Sequence, residues 1–94
     1  MAMFMMAMNI NQETKKEHPD VTHQVDLSLD VFREYQLEVK GVYATLGRYD
    51  YLVLFEAFDQ AEAFRVATAI NDKRVLRTET WPLIPYSDFS QLVG

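Results

Sequence analysis

The chain has 94 residues, 49% of them hydrophobic and 13% aromatic, and carries a formal net charge of −5. This is a single-domain length, and so small a body buries only about two-thirds of its unfolded surface, so the apolar content exceeds what one core absorbs. There is no cysteine, which excludes disulfides, thiol catalysis, iron–sulfur clusters and thiolate zinc sites; the acidic balance, with no basic stripe, argues against nucleic acid.

Residues 1–10 hold all five methionines. The run lacks the basic flank and small-residue cleavage site of a leader, and it is far shorter than the ~20 residues that span a bilayer. No membrane partner is expected, and the protein reads as cytoplasmic. Residues 3–10 form a buried first strand, the methionines filling irregular core gaps rather than lining a ligand site.

A polar connection covers residues 11–18, and Pro19 and Asp20 open a helix, proline being tolerated at a helix start and aspartate being a good N-cap. The helical period runs from Val21 to about Gln36. Val21, Val25 and Phe32 fall on one line, flanked by Ser28, Leu29, Tyr35 and Gln36, with His23, Asp26, Asp30 and Glu34 towards water. Leu27 and Val31 lie off the stripe and are candidates for subunit contacts.

Residues 39–57 read as a hairpin with arms 39–46 and 49–57, and Gly47-Arg48 as a type II′ turn with glycine at its first central position. That register pairs Thr45 with Asp50, Tyr43 with Leu52 and Val42 with Val53. One face then carries Tyr43, Thr45, Asp50, Leu52, Leu54 and Glu56, the other Val42, Ala44, Leu46, Tyr49, Tyr51, Val53 and Phe55. Both are rich in apolar groups, whereas a sheet with one wet side alternates more cleanly.

Asp59 and Glu62 form a capping box for a second helix, which buries Ala63, Phe64, Ala67 and Ile70 and ends on a left-handed Asn71. A last strand, residues 75–81, stops at Pro82, which suggests an edge or a strand end. The order strand, helix, strand, strand, helix, strand gives an α+β, ferredoxin-like βαββαβ domain: a four-stranded antiparallel sheet with both helices on one face. The uncovered face is apolar, and pairing with a second copy covers it, as in a dimeric α/β-barrel. The domain spans residues 1–84. The tail, 85–94, has Ser87 capping a helical turn that presents Phe89, Leu92 and Val93, and it is expected to dock on a neighbouring subunit.

The run Gly41-Val-Tyr-Ala-Thr-Leu-Gly-Arg-Tyr-Asp50 resembles the signature segment of the GYD domain family, and Val75-Leu-Arg-Thr-Glu-Thr-Trp81 resembles that family's last strand. The resemblance covers about residues 3–84. It implies a ferredoxin-like domain related to the dimeric α/β-barrel group, which includes cofactor-free monooxygenases, isomerases, dehydratase-like proteins and small proteins with no assigned chemistry. Three departures stand out: Arg48 between Gly47 and Tyr49, no glycine in the junction Leu37-Glu38-Val39, and the methionine-rich first strand.

The polar cluster of the signature, Tyr43, Thr45, Arg48, Tyr49 and Asp50, together with Arg77 and Glu79, is the candidate ligand-binding set. Arg48 would hold an anion, and Tyr43 or Tyr49 would donate a hydrogen bond. The competing structural reading has Gly47 making the turn, Asp50 tying its backbone and Arg48 pointing into water. Arg77, Glu79 and Trp81 share one side of the last strand, Thr78 and Thr80 the other, and Glu56 is a further carboxylate near a strand end. No metal site is expected, since the stripe of His23, Asp26 and Asp30 reads as a solvated helix face. Nor is a cofactor, since three glycines leave no dinucleotide fingerprint or phosphate loop. The leading functional reading is a small homo-oligomeric binding module or accessory subunit of a larger assembly. The alternatives are a cofactor-independent enzyme acting on a small apolar or aromatic molecule, and a ligand-sensing regulator.

Overall fold

The computed structural model describes residues 1–17 and 20–94. Its elements in chain order are β1 (Ala2–Ile10), α1 (Gln12–Glu17), α2 (Val21–Glu34), β2 (Glu38–Ala44), β3 (Tyr51–Ala57), α3 (Gln60–Asp72), β4 (Leu76–Leu83) and α4 (Tyr86–Val93). The strands make one antiparallel sheet in the order β2-β3-β1-β4, the ferredoxin-like arrangement. The expected polar connection after β1 is partly helical, because Gln, Glu and Lys are good helix formers even without an apolar stripe; His18 and Pro19 lie outside the described residues.

One face of the sheet is the core. Phe4, Met6, Met8 and Ile10 of β1 and Val53, Phe55 and Ala57 of β3 are buried with Val25, Val31 and Phe32 of α2 and Ala63, Val66 and Ile70 of α3. Phe55 is its hub: its ring stacks on Phe4 at 5.6 Å between centroids and meets Phe32 at 4.9 Å, separations at which aromatic pairs add to simple burial. Asp20 caps α2 by accepting the His23 N–H at 3.2 Å, and Asp59 caps α3 by accepting the Glu62 N–H at 3.0 Å. The Glu62 carboxylate reaches back past the cap to accept the Phe58 N–H at 2.6 Å, one residue short of a strict capping box. The buried Ser28 hydroxyl donates to the Gln24 carbonyl, so the one polar residue in the α2 interface has its hydrogen bond.

Three helix positions differ from expectation. Val31 is core, 1% exposed, not a subunit contact, because the buried arc of α2 is wider than its apolar stripe. Phe64 is 73% exposed, and Val66 takes its expected place inside; at 3.6 residues per turn Phe64 stands about 100° round the helix from Ala63. Asn71 is not the left-handed residue either. That conformation falls on Arg74 (φ 62°) and on Gln36 (φ 59°), the latter immediately before the junction that lacks glycine. Asn71 instead clasps β4: its amide donates to the Ala67 carbonyl and the Thr78 hydroxyl, both at 2.8 Å, and accepts the Thr78 N–H at 3.1 Å.

The β2–β3 register is as the sequence pattern requires, with Tyr43 opposite Leu52, Val42 opposite Val53, and the Thr45 N–H donating to the Asp50 carbonyl at 3.0 Å. The turn is not a type II′ turn. The arms stop at Ala44 and Tyr51, residues 45–50 form an open loop, and no glycine has positive φ. The Gly47 N–H is held by the Thr45 hydroxyl at 3.0 Å, a side-chain turn that needs no left-handed residue. A bulge between Val39 and Gly41 leaves Lys40 as the extra residue. β4 continues through Pro82 to Leu83. Pro82 sits at the sheet edge, where the missing N–H costs no ladder bond. Pro85, not Ser87, precedes α4, and no side chain caps that helix.

Candidate functional site

The second face of the sheet presents Met3, Met5, Ala7 and Asn9 of β1, Leu52, Leu54 and Glu56 of β3, Tyr43 of β2, and Arg77, Glu79, Trp81 and Leu83 of β4, as the alternation of the paired strands dictates. Met3, Met5, Leu52, Leu54 and Leu83 are half-buried, and Tyr43 and Trp81 are more exposed. Polar groups gather at two opposite corners of this face, with an apolar band between them.

At the β2–β3 corner, the Lys40 ammonium lies 3.0 Å from Glu38 and 3.6 Å from Glu56. The hydrogen bond to Glu38, aided by the charges of both carboxylates against some burial, raises Lys40 above its usual value. The bulge serves this pairing, since Glu38 and Glu56 stand directly opposite each other and Lys40 bridges two carboxylates that would otherwise repel. Glu56 is thus ion-paired rather than a free base.

The other corner is a cleft of about 480 Å³ lined by Ala7, Asn9, Arg48, Tyr49, Arg77, Thr78 and Glu79. Arg77 and Glu79 are delivered by alternate positions of β4, opposite Asn9 and Ala7 of β1. Arg48 and Tyr49 arrive from the 45–50 loop. Tyr49 does not follow the pleat that would put it with Tyr51 on the core side; its ring lies 6.2 Å from Trp81 on the open side. The Arg48 guanidinium stands 5.8 Å from the Tyr49 ring centroid, within cation–π range. The Glu79 carboxylate, through hydrogen bonding and charge and with some desolvation, holds the Tyr49 phenol above its ordinary value against the opposing pull of Arg48. Among the described residues neither Arg48 nor Arg77 has an ion-pair partner.

Of the seven residues singled out from sequence, Arg48, Tyr49, Arg77 and Glu79 come together here. Tyr43, Thr45 and Asp50 do not. Tyr43 is on the opposite edge strand, three strand spacings (~14 Å) from β4. Its ring lies over Gly41, so that a Cβ there would come 2.5 Å from the phenol oxygen and the exposed ring would have to turn aside. Thr45 holds the Gly47 N–H. Asp50 is a structural tie: its carboxylate accepts the Ile10 N–H at 2.9 Å, and its own N–H donates to the Met8 carbonyl and the Asn9 side chain, each at 2.9 Å. Asn9 and Thr78 escaped the sequence reading. A polar residue near the end of an otherwise apolar strand, as Asn9 is, was the signal available. Among the described residues no three His, Asp or Glu side chains gather in metal-binding reach, and no helix is long and apolar enough to cross a membrane.

A family model described as the GYD domain matches residues 4–93. No curated protein matches the chain. Among solved structures, the crystal structure of MtbAldR (Rv2779c) is similar with a TM-score of 0.64 at 16% sequence identity, over 89% of this chain and 53% of that one. The chain therefore spans about half of that protein, and the likeness is one of fold.

Proposed function

The chain belongs to the GYD domain family, and from that premise we propose that it is a homo-oligomeric binding module, paired through the open sheet face, whose corner cleft holds a small anionic molecule with an apolar or aromatic body. The observation that carries the reading is the convergence of two guanidiniums, Arg48 and Arg77, without ion-pair partners among the described residues, on one cleft walled by Tyr49. In an acidic chain such charges favour a carboxylate or phosphate, and the Tyr49 ring, with Trp81 beside it, offers a surface for an apolar body. The apolar band of Met3, Met5, Leu52, Leu54 and Leu83 supports pairing with a second copy, because a contiguous exposed apolar surface marks an interaction face, and two sheets meeting in this way make the dimeric α/β-barrel. Tyr49, protonated at neutral pH, can donate a hydrogen bond to such a ligand.

Arg48→Ala and Arg77→Ala, made separately, test the cleft. Each should leave melting temperature and oligomer mass unchanged and weaken binding of a retained or titrated carboxylate ligand by ~1.5–3 kcal/mol, the worth of a charge-assisted bond. Wild-type ligand affinity in both variants would remove the cleft from the account.

A further inference from the structure

A second recess, of about 440 Å³, lies on the helix side of the sheet between β4 and α3. Alternation along β4 puts Leu76, Thr78, Thr80 and Pro82 on that side, opposite Ile10, Met8, Met6 and Phe4 of β1. Leu76 is buried in the core, whereas the other three β4 residues line the recess. Across from them α3 presents Ala63 and Ala67, about one turn apart. Small side chains facing threonines leave the space, which larger apolar residues would have closed as core. The hydrogen bonds between Asn71 and Thr78 bound one end. The buried Phe4 forms the floor, and Phe64 stands exposed at the mouth.

The chemistry of this lining differs from that of the corner cleft. Among the described residues no charged side chain lines it, and its polar groups are the neutral ones of Gln60, Thr68, Asn71, Thr78 and Thr80. Asn71 and Thr78 bond to each other, but the Thr80 hydroxyl is buried with no hydrogen-bond partner among the described residues. A buried hydroxyl without a partner is costly, so in a native protein it calls for one. A single water would meet it, yet the recess far exceeds the ~30 Å³ share of one water. Further water against Phe4, Phe64 and the two alanines is poorly hydrogen-bonded, and its release favours an apolar occupant.

We propose that the recess binds a small uncharged molecule with an aromatic body and one hydroxyl or carbonyl group, the body lying against Phe4 and Phe64 and the polar group bonding the Thr80 hydroxyl. An ion is disfavoured, because no described charge lines the recess to offset its desolvation. The volume falls within the roughly 300–1,000 Å³ of small-molecule sites, which combine apolar walls with a few placed polar groups. The recess is on the opposite face of the sheet from the apolar band, so it stays open when two copies pair there. It shares neither Arg48 nor Arg77 with the corner cleft, so it stands or falls independently of that reading.

The test uses the full-length protein with benzyl alcohol as the probe, toluene as its counterpart without a polar group and benzoate as its anionic counterpart. In amide-resolved NMR spectra, benzyl alcohol should shift the signals of Ala63, Ala67, Thr78 and Thr80 saturably, and benzoate should not displace it. Thr80→Val keeps the shape and removes the hydroxyl. It should weaken benzyl alcohol relative to toluene about three- to tenfold, the range of one neutral hydrogen bond. It should not lower the melting temperature, since the hydroxyl has no partner in the described scaffold. Ala67→Leu fills the recess and should abolish the benzyl alcohol shifts. The absence of saturable shifts along α3 and β4 overturns the proposal, as does displacement by benzoate or unchanged binding in Ala67→Leu. An unaltered preference between the two neutral probes in Thr80→Val overturns it as well. So does a lowered melting temperature in that variant, which would make the hydroxyl part of the scaffold through a structural water.

Discussion

Asp50 lies in the family's signature, and the structure gives it a role that can be measured without any ligand. Replacing it by alanine removes the acceptor of the Ile10 N–H, a part-buried bond of 2.9 Å linking residues 40 apart in sequence. A buried donor left without a partner costs ~1–3 kcal/mol. For a domain of this size each kcal/mol lowers the melting temperature by about 4–8 °C, so Asp50→Ala should melt about 5–20 °C below wild type. Asp50→Asn keeps an oxygen at the same place and replaces a charge-assisted bond by a neutral one, so about half the loss should return. Thermal melts followed by circular dichroism, with ligand retention measured on the same samples, make the test. If Asp50→Ala melts within about 1 °C of wild type yet loses ligand, the residue belongs to the site and not to the scaffold, and the reasoning is refuted.

Gln36 has the left-handed conformation without being glycine; Gln36→Gly should therefore raise stability by about 0.5–1 kcal/mol, and a lower melting temperature would mean that its side chain holds something. Gly47, by contrast, has no positive φ, and a Cβ there would meet only the Thr45 hydroxyl at 3.4 Å, so Gly47→Ala should leave the melting temperature nearly unchanged. A large loss would show that the loop needs a conformation only glycine adopts. Tyr49 titrates above the ordinary phenol value of 10.0, chiefly through its bond to Glu79. In Glu79→Gln its ionisation, followed by phenolate absorbance, should move to lower pH. The sign follows from linkage: a raised phenol contributes stability that is fully present below pH 10 and is lost as pH rises through the folded-state value. An unmoved titration in Glu79→Gln would separate the two side chains.

The fold was legible because its strands repeat every two residues and its helices every 3.6. Tyr43 opposite Leu52 and Val42 opposite Val53 fixed the hairpin register even though the connection is an open loop and not a type II′ turn. Alternation along β4 likewise placed Arg77, Glu79 and Trp81 together. Periodicity fails where the chain leaves the pleat. Tyr49 sits in a loop, so counting by twos put it on the wrong face, and the Lys40 bulge carries no mark in Glu-Val-Lys-Gly-Val. Phe64 shows a different limit, since a large apolar residue one step off the buried stripe looks like core until the helix is phased against the sheet. The ties of Asp50 to β1 and of Asn71 to Thr78 are tertiary hydrogen bonds, and residue type alone does not announce them. Strand order, which local patterns do not carry, separates Tyr43 from Arg77 across the sheet.

Pairing through the open sheet face is the central claim, and native mass spectrometry of the full-length protein at micromolar concentration tests it most directly. The mass should be at least twice the 11.0 kDa of one chain. Leu54→Asp, which places a carboxylate in the middle of the apolar band and outside the core, should reduce the sheet-face pairing and lower that mass with the circular dichroism unchanged. A wild-type protein that flies as a single 11.0 kDa chain while fully folded would contradict the account.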